Sequence, residues 1–423
     1  MRLFWRVVLT TTFMIAGGYH TNEAAGFQYN AGIGYDFLSQ EYFLDSAAQS
    51  GVDSVLTDWS LRTDYLDDVK GILSFTVLPL NDRRLAFTTR YEQTSDFFRL
   101  KFIGDARANL GDSRLDLNGE LDWRHRHDGE ASFGDSYVYG YSRAKLAVPL
   151  NESVKSIFEV RGEFVQFDSV TTTSYNYYRV GGKIGLEKFF ENFSFGDIKA
   201  KFQTRQAPDS SAMNYVNFGA EGTYFGFYTG GDIDLYANVE RKDYNLLDGR
   251  NDFWRFELEG RNKVRLKERY FTSQEIDFEY MVYDPNDPVN LDYYILELTL
   301  LAGFESPAFT IGVGPEVEAL HEAKDDFMVS GDYFEVGGKV DVDVVSGSRL
   351  FVSAESVLGY RDLKDNDDLI TDYTYERVNL IGNTEIFKGL RFNVLFSAEW
   401  EWHTIATNDN KIFLVSSSLT YGM

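Results

Sequence analysis

The sharpest alternation of hydrophobic and polar positions lies at the end of the chain. Between Leu390 and His403, Phe392, Val394, Phe396, Ala398, Trp400 and Trp402 fall on one side of a period of two. Arg391, Asn393, Ser397, Glu399, Glu401 and His403 fall on the other, with Leu395 as the aliphatic exception. After a polar break the pattern resumes with Phe413, Val415, Ser417, Leu419, Tyr421 and Met423. A period of two marks a β-strand whose two faces meet different surroundings. The same two-faced rows recur upstream. Leu115, Leu117, Leu121 and Trp123 oppose Asp116, Asn118, Glu120, Asp122 and Arg124, and Ile233, Leu235, Ala237 and Val239 oppose Asp232, Asp234, Asn238 and Glu240. Trp254, Phe256, Leu258, Val264 and Leu266 oppose Arg255, Glu257, Glu259, Arg261, Lys263, Arg265 and Lys267. Phe334, Val336, Val340, Val342 and Val344 oppose Glu335, Lys339, Asp341 and Asp343. Ionised side chains at mid-strand cannot face hydrocarbon cheaply, so the greasy rows imply lipid outside and the charged rows water inside a closed barrel.

The connections alternate in length. Tight ones are expected near Pro149–Glu152, Glu191–Phe193, Phe225–Phe227, Lys267–Arg269, Ser306–Pro307, Ser346–Ser348 and Lys388–Gly389. Longer polar ones separate them, at Arg126–Gly134, Asp168–Ser174, Gln206–Ala212, Asp243–Asn251, Asp284–Asn290, Glu322–Gly331, Asp362–Asp372 and Thr404–Asn410. Treating Val55–Tyr65 and Gly71–Leu78 as two strands gives an odd total. Joining them keeps Trp59, Leu61, Thr63, Tyr65, Gly71, Leu73, Phe75 and Val77 in phase, as one strand protruding above the membrane. The expected fold is all-β: a closed antiparallel transmembrane β-barrel of about 20 strands, within a range of roughly 18–22. Pro315 sits inside the strand Phe309–Leu320, where it cannot donate to the ladder, and a bulge is the expected accommodation.

At the other end, Arg2 and Arg6 precede the apolar run Val7–Ile15 and the small residues Ala16-Gly17-Gly18. This reads as a secretory signal over 1–18, with a cut as late as 25 also compatible, and leaves 26–423 as a single barrel domain. The first strand, with Phe27, Tyr29, Ala31, Ile33, Tyr35 and Phe37 on one face, follows at once. No folded plug is expected ahead of it.

The last strand also resembles the C-terminal signature of Gram-negative bacterial outer-membrane β-barrel proteins, in which apolar residues alternate toward the final position. Val415, Leu419 and Tyr421 match that row, and Met423 stands last. The resemblance implies an integral outer-membrane location with both termini and the short turns in the periplasm. It further implies contact with outer-membrane lipid and lipopolysaccharide, and delivery by the barrel assembly machinery. On that reading Phe392, Val394, Phe396, Trp400, Trp402, Phe413 and Tyr421 face lipid.

Composition narrows the function. Among 423 residues there are 27 Tyr, 35 Phe and 36 Gly but no Cys, which removes disulfide frameworks and thiolate metal sites. The formal charge of −25 opposes nucleic-acid binding, which selects basic surfaces. No cofactor is called for. The leading expectation is a porin-like passive channel. Its expected pore-lining residues are Asp232, Asp234, Arg255, Glu257, Glu259, Arg261, Lys263, Arg265, Glu275, Asp277, Glu279, Glu335, Lys339, Asp341, Asp343 and Glu399. The acidic loop residues Asp284, Asp287, Asp325, Asp326, Asp362, Asp365, Asp367 and Asp368 would concentrate cations at the mouth, giving a modest cation preference. The basic row Arg255 to Lys267 reads either as an anion track or as a structural ladder against acids on adjacent strands. Two other classes compete. One is a closed receptor barrel that binds through its loops, with Asp362–Asp368 as a candidate Ca²⁺ cluster lacking EF-hand spacing. The other is a barrel-embedded hydrolase, for which the available bases are His125, His127, His321 and His403, with no nucleophile motif beside them.

Overall fold

The computed structural model describes residues 26–45, 59–78, 85–94, 97–126, 136–168, 175–244, 252–284, 291–323, 332–347, 349–364, 371–405 and 409–422. The signal segment, Met423, His127 and the loop acids Asp287, Asp325, Asp326, Asp365, Asp367 and Asp368 lie outside the described residues. Strands β1 (Gly26–Asp45), β2 (Trp59–Leu78), β3 (Leu85–Gln93), β4 (Phe97–Leu110) and β5 (Ser113–Arg126) open the chain. They are followed by β6 (Tyr137–Pro149), β7 (Val154–Phe167), β8 (Tyr177–Phe189), β9 (Phe195–Gln206) and β10 (Tyr215–Tyr228). The second half comprises β11 (Gly231–Tyr244), β12 (Phe253–Arg265), β13 (Tyr270–Tyr283), β14 (Tyr293–Glu305) and β15 (Phe309–Glu322). It ends with β16 (Tyr333–Ser346), β17 (Leu350–Leu363), β18 (Tyr373–Phe387), β19 (Leu390–His403) and β20 (Asn410–Gly422).

Each strand pairs antiparallel with the next, and β20 returns to β1 over Asn30↔Gly422 to Tyr42↔Asn410. The result is one closed sheet of 20 strands. From β4 onward the alternating connections predicted from the sequence produce it, short turns at one end and long loops at the other, whereas β3 and β4 are joined at the long-loop end by a tight turn from Thr94 to Phe97. The join across 59–78 holds, since β2 is one uninterrupted strand paired along its whole length with β1.

Two local expectations are corrected. The turn placed at Phe225–Phe227 falls later. The rings of those two residues pack edge to face at 4.8 Å within β10, and Gly230 makes the turn with a φ of 90°, a left-handed conformation open to glycine. Pro315 causes no bulge. The β14–β15 ladder lapses where Gly314 and Pro315 face Leu300 and Leu301, then resumes in the same register. The wall therefore spends two missing pairs on the proline instead of an extra residue. The register shift that does occur lies in β18, between Glu385 and Phe387 against β19.

Register decides which face is inside. Lys145 on β6 meets Glu187 on β8 at 2.9 Å, Lys183 on β8 meets Glu221 on β10 at 2.6 Å, and Lys201 on β9 meets Glu240 on β11 at 2.7 Å. Side chains two strands apart converge only over the concave surface of a curved sheet. The fully buried Tyr375, Ile157, Glu335, Thr299 and Asp122 share that face. The opposite face leaves Val160 62% and Ile198 63% exposed, as a surface made for hydrocarbon would.

Candidate functional site

The inner wall is the candidate site, and register brings every predicted wall residue onto it. Asp232 faces Lys263 and Asp234 faces Arg261 across β11–β12. Arg261 in turn faces Glu275, Glu259 faces Asp277, and Glu257 faces Glu279 across β12–β13. Glu335, Lys339, Asp341 and Asp343 lie on the same surface of β16, and Glu399 lies on that of β19. The predicted lipid-facing set occupies the other surface: Phe392, Val394, Phe396, Trp400 and Trp402 on β19, and Phe413 and Tyr421 on β20, with Trp400 flanked at the loop end by Glu376 and Lys411.

The basic row of β12 is not a continuous track. Arg255 is held by Glu257 at 2.5 Å and by Glu279. Lys263 reaches Glu305 on β14, and Arg265 meets Asp232 at 3.3 Å. Arg261, like Lys267 in the turn beyond β12, makes no ion pair among the described residues. It lines a recess of about 400 Å³ with Asp234, Tyr236, Glu259, Glu275, Asp277, Glu297 and Thr299. Through this recess Glu259, Asp277 and Glu297 face one another in register on β12, β13 and β14, and the row continues into Glu318 and Glu335. The first three carboxylates have no hydrogen bond or ion pair to a described residue. Glu318 accepts from the Tyr333 hydroxyl, and Glu335 takes Arg361 at 2.5 Å and Arg377 at 3.4 Å. Elsewhere Lys339 bridges Glu316 at 3.3 Å and Glu355 at 3.0 Å, and Arg377 meets Glu399 at 3.0 Å.

The structure adds a second system that the sequence reading missed. From β4 to β18 every strand that descends from this end opens on an inward aromatic: Phe97, Tyr137, Tyr177, Tyr215, Phe253, Tyr293, Tyr333 and Tyr373. Cations from the ascending strands stack between them. Arg205 lies over Tyr177 at 5.9 Å and Tyr215 at 4.5 Å, and Lys242 over Tyr215 at 5.1 Å and Phe253 at 5.0 Å. Arg361 lies over Tyr333 at 4.0 Å and Tyr373 at 5.4 Å. From Tyr137 to Tyr373 the residue before each aromatic closes the neck of its loop. Asp252, Asp292 and Asp372 accept the backbone N–H of Tyr244, Tyr283 and Leu363 at 2.5, 2.7 and 2.9 Å. Ser136, Asn176, Asn214 and Asp332 do the same for Arg126, Phe167, Ala207 and Glu322, and Asp409, ahead of Asn410, does so for His403. The sequence signal is a recurring pair, a short polar residue followed by Tyr or Phe, at each long-loop hairpin from β5–β6 to β17–β18.

The histidines are scattered. His125 packs against Phe98 at 5.3 Å, and His321 contacts Asp332 at 3.0 Å beside the Tyr294 ring. His403 meets Thr371 at 3.0 Å on a different strand. They do not converge on one site. Among the described residues no group of His, Asp and Glu side chains is arranged to hold a metal ion.

Solved structures share this architecture. The alcaligin outer-membrane receptor FauA from Bordetella pertussis superposes with a TM-score of 0.52 at 11% identity, over 93% of this chain and 76% of that one. The siderophore receptor PirA from Pseudomonas aeruginosa gives 0.50 at 10% identity, over 93% and 80%. The outer-membrane protein OpdK from Pseudomonas aeruginosa gives 0.49 at 9% identity, over 94% and 99%. The fold is that of Gram-negative outer-membrane barrels. At these identities the likeness concerns architecture alone. No protein-family model and no curated protein matches the sequence.

Proposed function

We propose that the chain is a passive outer-membrane channel for small hydrophilic solutes or ions, with a modest preference for cations. One observation carries this reading. Among the described residues the inward side chains bond along the wall, to the same strand or to strands one or two away, and none reaches across the ring. A barrel sealed by its own side chains would show contacts between opposite walls, whereas these long side chains lie flat. The inward row defined by Asp232, Arg261, Glu275, Lys339, Asp341 and Glu399 then lines the pore, and selectivity comes from charge along the wall. Cation preference follows from Glu259, Asp277 and Glu297, three adjacent carboxylates that make no ion pair to a described residue. In this reading the short turns and both termini face the periplasm, the greasy face meets lipid and lipopolysaccharide, and the barrel assembly machinery inserts the chain.

Liposome swelling with sugars of graded size tests it. Entry of small sugars with a cut-off at larger ones is the expected result. No entry of any sugar would overturn the channel and favour a closed barrel that binds ligands through its loops.

A further inference from the structure

The charges of the inner wall are sorted around its circumference. On β4 to β9 the inward bases outnumber the acids, and two guanidiniums reach only neutral acceptors among the described residues. Arg161 donates to the Gln203 amide oxygen, and Arg205 donates to the Met213 carbonyl at 2.8 Å. On β11 to β17 the acids outnumber the bases, and Glu259, Asp277 and Glu297 stand side by side with no ion pair to a described residue. On β18 to β20 the middle of the inward row carries no charge at all: Asn379, Ile381, Leu395, Ser397, Leu414 and Ser416. The basic and acidic sectors thus adjoin at β10, and the uncharged middle of β18 to β20 borders the acidic sector on its other side.

This sorting works against stability. Interleaved signs would pair on every strand, whereas like charges directly opposite each other in a sheet repel. It also shapes the potential inside. Paired ions cancel at short range, but an uncompensated sector projects its sign into the water over a distance of about 8 Å at physiological salt. A monovalent ion is drawn to one sector and repelled by the other. A solute carrying both signs is favoured by both, once it turns its cationic group to β11–β17 and its anionic group to β4–β9.

We propose that the barrel selects for dipolar solutes, small zwitterions with a cationic and an anionic group held apart. This rests on the channel reading above and names its substrate class. The test compares liposome swelling by the full chain with arabinose, glycine betaine and 4-aminobutyrate, alongside reversal potentials in a salt gradient. Two variants are measured in parallel: Glu259→Gln with Asp277→Asn and Glu297→Gln, and Arg161→Gln with Arg205→Gln. Both keep side-chain shape, and heat-modifiable migration on gels reports that each has folded. The wild type should pass the zwitterions faster than arabinose at equal size. Each variant should lower the zwitterion-to-arabinose ratio at least about twofold, while the two shift the reversal potential in opposite directions. Zwitterion ratios unchanged in both variants would overturn the proposal while leaving the channel intact. Exclusion of arabinose by the wild type would instead remove the channel itself.

Discussion

The ring of Tyr375 on β18 lies flat across Gly359 on β17, with its hydroxyl reaching toward Gly337 on β16. Tyr375 is fully buried although it faces the interior of the barrel. The two glycines leave a trough that the ring fills, and Val357 and Tyr373 pack beside it. A methyl group at Gly359 would overlap the hydroxyl end of the ring. Gly359→Ala should therefore lift Tyr375 off the wall and cost about 1–3 kcal/mol, the usual range for overpacking. Urea unfolding in detergent micelles checks this. The double variant with Tyr375→Ala should recover most of the loss, because nothing is left to displace.

Beside that trough, Glu335 is 1% exposed and gathers Arg361 and Arg377. Removing one partner of a buried ion network leaves the rest charged and unpaired. Glu335→Ala should lower stability by about 3 kcal/mol in the same unfolding measurement. Glu355→Ala is the contrast: Glu355 is 37% exposed and shares Lys339 with Glu316, so its loss should cost at most about 1 kcal/mol.

The loop necks give a different kind of prediction. Asp292 and Asp372 each accept a backbone N–H that closes the hairpin, at 2.7 and 2.9 Å. Asp292→Ala or Asp372→Ala removes that acceptor and should cost about 1 kcal/mol. The loss should be local. Limited proteolysis ought to cut the corresponding loop faster while the barrel keeps its heat-modifiable migration. Loss of the folded band would show instead that the necks hold the whole ring together.

Much of this architecture was written in local patterns. The two-faced rows at Trp254–Lys267 and Phe392–His403 fixed which residues share a surface, because a strand repeats every two residues whatever its neighbours are. Strand number followed from parity across 59–78. What escaped was whatever depends on partners two strands away. The link from Lys263 to Glu305 and the trough under Tyr375 arise from register, which no single strand contains. Likewise the aromatic at the head of each descending strand reads locally as one more strand residue. Only its repetition behind Asn176, Asp252 or Asp372 marks it as part of a collar. At Pro315 a bulge is the usual local remedy, whereas here a lapse in one ladder suffices.

Sidedness itself is open to direct test on β19, where Phe396 and Ser397 are adjacent in sequence and point to opposite surfaces. An arginine on the hydrocarbon face of a barrel costs about 2–4 kcal/mol near the membrane midplane, and one in a watery interior costs little. Phe396→Arg should accordingly reduce folding into lipid vesicles by that amount, while Ser397→Arg should fold normally, with Asn379 and Leu414 as inward neighbours that leave room for it. The second variant also adds a cation to the uncharged sector, so its reversal potential should move toward anions. Equal losses from the two substitutions would contradict the assignment of faces on which the pore rests.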